Sequence, residues 1–132
     1  MNVILSIRPK YVTAIELGTK LYEFRKVRFR KDIERVYIYA TSPTQRIVGR
    51  FNVGKIIEGH PKSLWEALYQ VAGMSEVDFF AYYGQSDIGL AIEIKQLLFF
   101  QSPIDPKSLS RDFSPPQSFR YVSGEAISHA GV

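Results

Sequence analysis

Three residues with complementary charge lie close together near the start of the chain: Lys20, Glu23 and Arg25. The two cations can bind a phosphate or a polarised carbonyl, while the glutamate can orient them or transfer a proton. A purely structural salt-bridged trio would have the same sequence. Burial in a cleft would distinguish the two interpretations, because it shifts the pKa of a lysine or a carboxylate. This trio is therefore the first candidate functional site.

The flanking residues predict the elements that position the trio. Pro9 can begin a helix, and Gly18 can end it because glycine readily takes the left-handed conformation of a helix C-terminus. Residues 21–25 then alternate as a strand does. The strand would direct the glutamate and the arginine to one face and Tyr22 and Phe24 to the other. The lysine, at the turn, could lean over either face.

The spacing of these residues resembles the signature of the ASCH family, which is related in fold to PUA domains. The four signature positions are matched by Gly18, Lys20, Glu23 and Arg25. Residues 4–11 resemble the first strand of the family running into its first helix, and residues 36–43 resemble a later strand. The resemblance extends to about Leu98 and implies a PUA-like barrel.

The remaining pattern predicts the same α+β class, a mixed β-barrel with an N-terminal helix and a central helix pair packed against it. Ser63 and Glu66 have the spacing of a capping box and predict a helix start, and Gly73 would close that helix. Ser75 offers a second helix start, followed by a stop at Gly84. The strand candidates are rich in β-branched and aromatic residues. They are Ile4–Ile7, Leu21–Arg25, Arg35–Ala40, Ile47–Ile57 and Leu90–Phe99.

Length and composition set further expectations. At 132 residues and 45% hydrophobic, the chain suits one domain, expected over residues 1–123, with a flexible C-terminal tail over residues 124–132. No cysteine is present, and His60 and His129 are isolated, so we expect no metal and no cofactor. No apolar run approaches a membrane span, and no charged leader precedes a hydrophobic stretch. We therefore expect a cytoplasmic protein with no membrane association.

The basic residues are concentrated in the first part of the chain. Residues 1–60 hold 12 Lys/Arg against 5 Asp/Glu, whereas residues 61–132 hold 5 against 8. Within residues 25–31, five basic side chains flank Val27 and Phe29. Such a stretch favours a polyanion whose bases can stack, and a solvated surface segment is the alternative interpretation.

A second candidate segment follows Pro115 and Pro116. It offers an amide, a guanidinium and two aromatic rings, groups that can read a base edge or stack on its face. The aromatic side chains of Phe119 and Tyr121 could equally anchor the end of the chain to the barrel.

Two functions follow from the family resemblance. The first, which we favour, is a module that binds single-stranded or modified RNA, or a nucleotide, in a basic cleft beside the barrel, with transcription or translation regulation as its setting. A protein partner is left open. The residues expected at this nucleic-acid interface are Ser6, Arg8, Lys10, Lys20, Glu23, Arg25, Lys26, Arg28, Tyr39, Ser42, Gln117, Ser118 and Arg120.

The second function is a small hydrolase acting on RNA or a modified nucleoside, in which Lys20 and Glu23 would be catalytic. One branch of the family removes the acetyl group from acetylated cytidine with the signature lysine, a threonine and a second glutamate. This sequence departs from that branch in two places. Glu23 stands where the threonine belongs, and residues 71–74, where the second glutamate is expected, contain no carboxylate.

Overall fold

The structure, a computed structural model, describes residues 1–30, 32–108, 113–116 and 119–122, and these residues hold six strands and three α-helices. The helices are α1 (Pro9–Leu17), α2 (Pro61–Leu68) and α3 (Glu76–Tyr83). The strands are β1 (Asn2–Ile7), β2 (Tyr22–Arg25), β3 (Arg35–Ala40), β4 (Arg46–Gly59), β5 (Gly89–Ile104) and β6 (Phe119–Val122). Short 3₁₀ turns span Tyr69–Val71 and Pro106–Ser108.

The strands form one mixed sheet in the order β2-β5-β4-β3-β1-β6. Strands β1 and β3 run parallel, and the other neighbours pair antiparallel. Register shifts interrupt the long β4–β5 pairing, and such bulges bend and twist a sheet. The result is a curled half-barrel with helices against it, which confirms the predicted α+β, PUA-like class.

Helix α1 begins and ends where the sequence predicts. Pro9 occupies its first turn, where a missing N–H costs nothing, and Gly18 caps it in the left-handed conformation with φ of 82°. Val12 and Ile15 are buried against the main core beneath β1 and β3. The backbone N–H of Lys20 donates a 3.1 Å hydrogen bond to the carbonyl of Ala14 in the same helix. The chain therefore turns directly from α1 into the candidate site.

The predicted capping box is wrong. His60 is the N-cap of α2, and its Nδ1 atom accepts a hydrogen bond of 3.1 Å from the backbone N–H of Lys62. Pro61 takes the first helical position because its fixed φ is already helical, so Ser63 lies inside the helix. The helix also ends earlier than expected, at Leu68, and not at the glycine five residues further on.

Helix α3 confirms its predicted start and stop. The hydroxyl of Ser75 accepts a hydrogen bond of 3.0 Å from the backbone N–H of Asp78, and Gly84 caps the C-terminus. The two helices bury a cluster of aromatic and aliphatic side chains against β2. In this cluster, the rings of Phe24 and Phe79 meet edge to face with their centroids 5.0 Å apart.

The C-terminal part of the described chain holds more strand than the sequence indicates. Strand β5 continues beyond the predicted end at Phe99 to Ile104, and β6 pairs antiparallel with β1. Phe119 and Tyr121 pack against the core, and Phe119 meets Phe29 at 4.9 Å. This arrangement supports the anchoring interpretation of the two rings. The predicted tail, residues 124–132, lies outside the described residues.

Within the described ranges, no helix is both long and apolar enough to cross a membrane.

Candidate functional site

A cavity of about 490 Å³ opens where α1, α3 and the ends of β1 and β2 meet. Its walls include all three members of the predicted trio. Five of the residues expected at a nucleic-acid interface line it, namely Ser6, Arg8, Lys20, Glu23 and Arg25. The structure therefore brings the trio and two of the other ten predicted interface residues together in one concave place.

The trio is buried and joined through its carboxylate. Glu23 Oε2 lies 2.6 Å from Arg25 Nη2, and Glu23 Oε1 lies 3.8 Å from Lys20 Nζ. The exposed fractions of Lys20, Glu23 and Arg25 are 2%, 6% and 8%. As predicted, the glutamate and the arginine share one face of β2, whereas Tyr22 and Phe24 pack into the helix cluster on the other. Buried charges need this pairing because an unpaired charge is costly to bury.

Lys20 is held by more than its ion pair. Its Nζ donates to the backbone carbonyl of Ala72 at 3.0 Å, and it lies 4.7 Å from the ring centroid of Phe24 and 5.5 Å from that of Tyr11. Burial lowers the pKa of Lys20, Glu23 partly opposes that shift, and Arg25 adds to it. The site therefore contains an amine that gives up its proton more readily than an exposed lysine does.

Arg25 connects the cavity to three other parts of the fold. Its Nη2 donates to the backbone carbonyl of Ser6 at 3.0 Å, and the hydroxyl of Ser6 donates to the carbonyl of Pro116 at 2.6 Å. The backbone carbonyl of Arg25 accepts a 3.1 Å hydrogen bond from the buried hydroxyl of Tyr83 on α3. These contacts fix the end of β2 against β1, the proline segment and α3.

A polar contact links the two helices that flank the cavity. Asp78 on α3 lies 3.1 Å from Lys10 Nζ and accepts a 3.3 Å hydrogen bond from the hydroxyl of Tyr11, both on α1. The hydrogen bond from Lys10 lowers the pKa of Asp78. Lys10, predicted to bind nucleic acid, thus lies beside the cavity with its charge paired.

The structure places the other predicted interface residues outside the cavity walls. Lys26 is exposed with its Nζ 4.9 Å above the ring of Tyr82, and Arg28 is on the surface, paired with Glu58. Ser42 is exposed in the turn after β3. Their roles in binding stay predictions.

The remaining predicted positions lie near the end of the chain or in the core. Tyr39 is 3% exposed and packs against Phe113 with ring centroids 5.7 Å apart, so its ring does not face the cavity. Burial raises its pKa. Arg120 is exposed on β6, with its guanidinium 5.5 Å from the ring centroid of Phe113. Gln117 and Ser118 lie outside the described residues.

Sequence reasoning missed several residues that line the cavity. They are Tyr11, Thr41, Met74, Asp78 and Tyr82. Two of them, Asp78 and Tyr82, are four residues apart on α3, a helical spacing that places them on one face. That spacing was visible in the sequence, but only the packing of α3 against β2 identifies the face as a cavity wall.

The comparison with known families decides what this fold and signature are. A profile of the ASCH domain matches residues 5–103. The chain belongs to the ASCH family. The match begins within β1 and ends within β5, so it contains the trio, α1, α2 and α3.

Individual proteins match this chain over nearly its whole length. An ASCH domain-containing ribonuclease of Zymomonas mobilis is 29% identical over 131 residues, covering 94% of this chain and 86% of that protein. The crystal structure of ASCH from Zymomonas mobilis superposes with a TM-score of 0.88 at 26% identity, covering 98% of this chain and 92% of that one. The large ribosomal subunit protein uL22 of Ureaplasma parvum is 25% identical over 123 residues, which is 92% of this chain and 39% of uL22.

Proposed function

We propose that this ASCH domain binds single-stranded or modified RNA and holds one of its phosphates in the cavity, beside Lys20 and Arg25. Membership in the family and a relative named as a ribonuclease support an RNA-related function in general. The observation that carries the specific proposal is the buried Lys20–Glu23–Arg25 trio, because it opens into a cavity of ligand size. Small-molecule sites have volumes of roughly 300 to 1,000 Å³.

The charges around the cavity favour an anion. Three cations line it, Arg8, Lys20 and Arg25, against the carboxylates of Glu23 and Asp78. Two further lysines lie close by, one bonded to the aspartate and one above the ring of a cavity-lining tyrosine. Charge-assisted hydrogen bonds to phosphate are strong where water is excluded, and the two buried cations of the trio supply the donors.

Titration of labelled single-stranded RNA at two salt concentrations tests this proposal. We expect binding that weakens as salt rises, because basic residues displace counterions from phosphates. Lys20→Ala and Arg25→Ala should each cost about 1 to 3 kcal/mol of binding free energy. Arg28→Ala, at a surface position, should cost less and is the matched control.

Circular dichroism of each variant separates lost binding from lost folding. Absence of binding by the native protein at low salt would overturn the proposal. Equal losses in Arg28→Ala and Lys20→Ala would exclude the cavity as the site.

A second candidate function is RNA cleavage, and one observation favours it: burial lowers the pKa of Lys20 beside Glu23. A neutral lysine amine can accept the proton of a ribose 2′-hydroxyl while that oxygen attacks the neighbouring phosphorus. The bond from phosphorus to the 5′-oxygen would break, and the leaving oxygen would take a proton from water. Arg25 would stabilise the negative charge that develops on the phosphoryl oxygens.

Deacetylation of acetylated cytidine has less support from the geometry. The segment that approaches Lys20 contributes the carbonyl of Ala72 and the sulfur of Met74, which is 4.0 Å from Nζ, and no carboxylate. Glu66 and Glu76 are exposed, and neither lines the cavity. The position of the threonine in that branch is occupied by Glu23.

The variant Glu23→Gln distinguishes binding from cleavage. If Glu23 only orients the two cations, the variant should bind RNA modestly more weakly, and native and variant proteins should both leave the RNA intact. If the chain is a hydrolase, Glu23→Gln should keep binding and lose turnover, because the carboxylate pairs with both Lys20 and Arg25 and holds them in place for the reaction. Gel analysis of RNA products, with Lys20→Met as a second variant, reads out the difference. Cleavage by the native protein that persists in both variants would exclude this trio as the catalytic group.

A further inference from the structure

Helix α3 turns toward the cavity a face that the hydrophobic core does not use. Asp78, Ala81 and Tyr82 line the cavity, and their spacing places them on one side of the helix. Phe79 and Tyr83, 0% and 2% exposed, supply the core-facing side. The ring of Tyr82 therefore lies on the cavity wall without being required to fill the core.

The position of Tyr82 is fixed by its neighbours. The next residue, Tyr83, bonds to the carbonyl of Arg25, and the rings of the two tyrosines meet edge to face at 5.0 Å. Tyr82 is 36% exposed, so part of its ring is accessible from solvent. Burial of the rest raises the pKa of Tyr82, which keeps its phenol uncharged beside an anion.

The group above this ring is an exposed lysine. Lys26 Nζ lies 4.9 Å from the ring centroid of Tyr82, and its side chain is exposed. Arg25 lines the same cavity as Tyr82, so the ring has a buried cation in its cavity and the exposed Lys26 above it. A base that stacked on the ring would take the place of the ammonium, and the lysine could then bind the phosphate.

From this arrangement we propose that Tyr82 is a stacking platform for one unpaired base of the RNA whose phosphate lies beside Lys20 and Arg25. This inference rests on the proposed function and adds to it the residue on α3 that receives an unpaired base. A base within a duplex has both faces covered by its neighbours, so only an unstacked base can lie on the ring. Any base can stack on an aromatic side chain, so the platform would favour single strands over duplexes without favouring a particular sequence.

Fluorescence anisotropy with a labelled single-stranded RNA tests the inference, together with a series of the same strand in which each nucleotide in turn is abasic. We expect Tyr82→Ala to weaken binding of the intact strand about tenfold, because stacking of one base is worth that much. Tyr82→Phe, which keeps the ring, should bind as the native protein does. The matched control is Tyr69→Ala, which removes an exposed tyrosine outside the cavity.

The abasic series supplies a readout that a merely structural role would not change. The native protein should lose about tenfold in affinity when one particular nucleotide is abasic, and Tyr82→Ala should show no such loss at that nucleotide. If Tyr82→Ala fails to fold by circular dichroism, Tyr82→Leu keeps an apolar side chain without an aromatic face and takes its place.

Each outcome decides the inference. If the abasic penalty is unchanged in Tyr82→Ala, or if Tyr69→Ala weakens binding equally, the platform is wrong while RNA binding stands. If the native protein binds neither the intact strand nor any abasic strand, the proposed function and the platform are both wrong. If Tyr82→Phe keeps the native preference for the intact strand over the abasic strand and Tyr82→Ala loses it, the platform is supported.

Discussion

Two ion-paired groups, whose arginines are three residues apart in the chain, show how differently the fold uses the same residue types. Lys20, Glu23 and Arg25 are almost fully buried, whereas Arg28 and Glu58 pair on the surface with side chains 69% and 34% exposed. The first group lines the cavity and contains a lysine whose pKa is lowered, whereas the second group faces solvent. Residue type alone thus says little about role, and the dielectric surroundings decide it.

The physical origin of this difference is the end of β2. The four residues of that strand are all buried between the sheet and the helices, and the chain leaves the sheet directly after Arg25. The basic stretch that looks continuous in sequence is therefore divided. Arg25 belongs to the cavity, whereas Lys26, Arg28 and Arg30 are exposed.

The largest effect that tests this contrast is the loss of a buried carboxylate. Glu23→Gln would leave two buried cations without a counter-charge, so we expect the free energy of unfolding to fall by about 3 kcal/mol. Glu58→Gln breaks the surface pair and should cause no measurable change. Urea denaturation of both variants measures the difference. Equal stability losses would show that burial does not separate the two groups.

A smaller effect should follow from crowding Lys20. Gly73 has φ of 63°, and a Cβ atom there would lie 2.7 Å from the Cα of Lys20. Gly73→Ala should therefore cost about 2 kcal/mol of stability and also weaken RNA binding. Gly18→Ala is the control, since it has φ of 82° but open space around it, and should cost about 1 kcal/mol with binding intact. Unchanged RNA affinity in Gly73→Ala would argue against a role for the position of Lys20.

The lowered pKa of Lys20 predicts that the stability of the protein depends on pH. The pKa of Lys20 is lowered from 10.5 by burial, so between its native value and 10.5 the unfolded chain binds more protons than the native protein. The contribution of Lys20 to stability therefore rises with pH across that window. Native protein should gain stability relative to Lys20→Met as pH increases toward 10.5. Urea denaturation across alkaline pH measures this gain, with Lys26→Met, an exposed site, as the control. A parallel pH dependence in native protein and Lys20→Met would contradict it.

The smallest effect belongs to the exposed basic residues. Arg30→Ala should leave the unfolding midpoint unchanged and reduce the salt slope of RNA binding by about 0.7, the value for one contact with a single strand. Lys62→Ala, which removes an exposed lysine on α2, should leave the slope unchanged. An unchanged slope in Arg30→Ala would place RNA away from this surface.

Local signals explain where the sequence-based predictions succeeded. Pro9 and Gly18 mark the ends of α1, and Ser75 marks the start of α3, because each residue acts on backbone within one turn of its own position. The capping box at Ser63 failed for the same kind of reason. A proline two residues earlier already set the helical φ, and His60 supplied the cap.

Contacts between distant residues account for what the sequence did not indicate. Strand β6 has only four residues, and it pairs with β1 near the start of the chain. The helix that forms the cavity wall, α3, is joined to the end of β2 by the Tyr83–Arg25 hydrogen bond, which links residues far apart in the chain. Neither contact has a local pattern that could be read in advance.

The sequence by itself determined the family, the fold class and the chemical types of the trio, because the spacing of Gly18, Lys20, Glu23 and Arg25 and the alternation of β2 are local properties of the chain. Only the tertiary structure decided that these charges are buried, that Lys20 has a lowered pKa, and that Tyr82 lies beside them. Burial and desolvation arise when separate elements pack together, and no stretch of sequence contains that information alone.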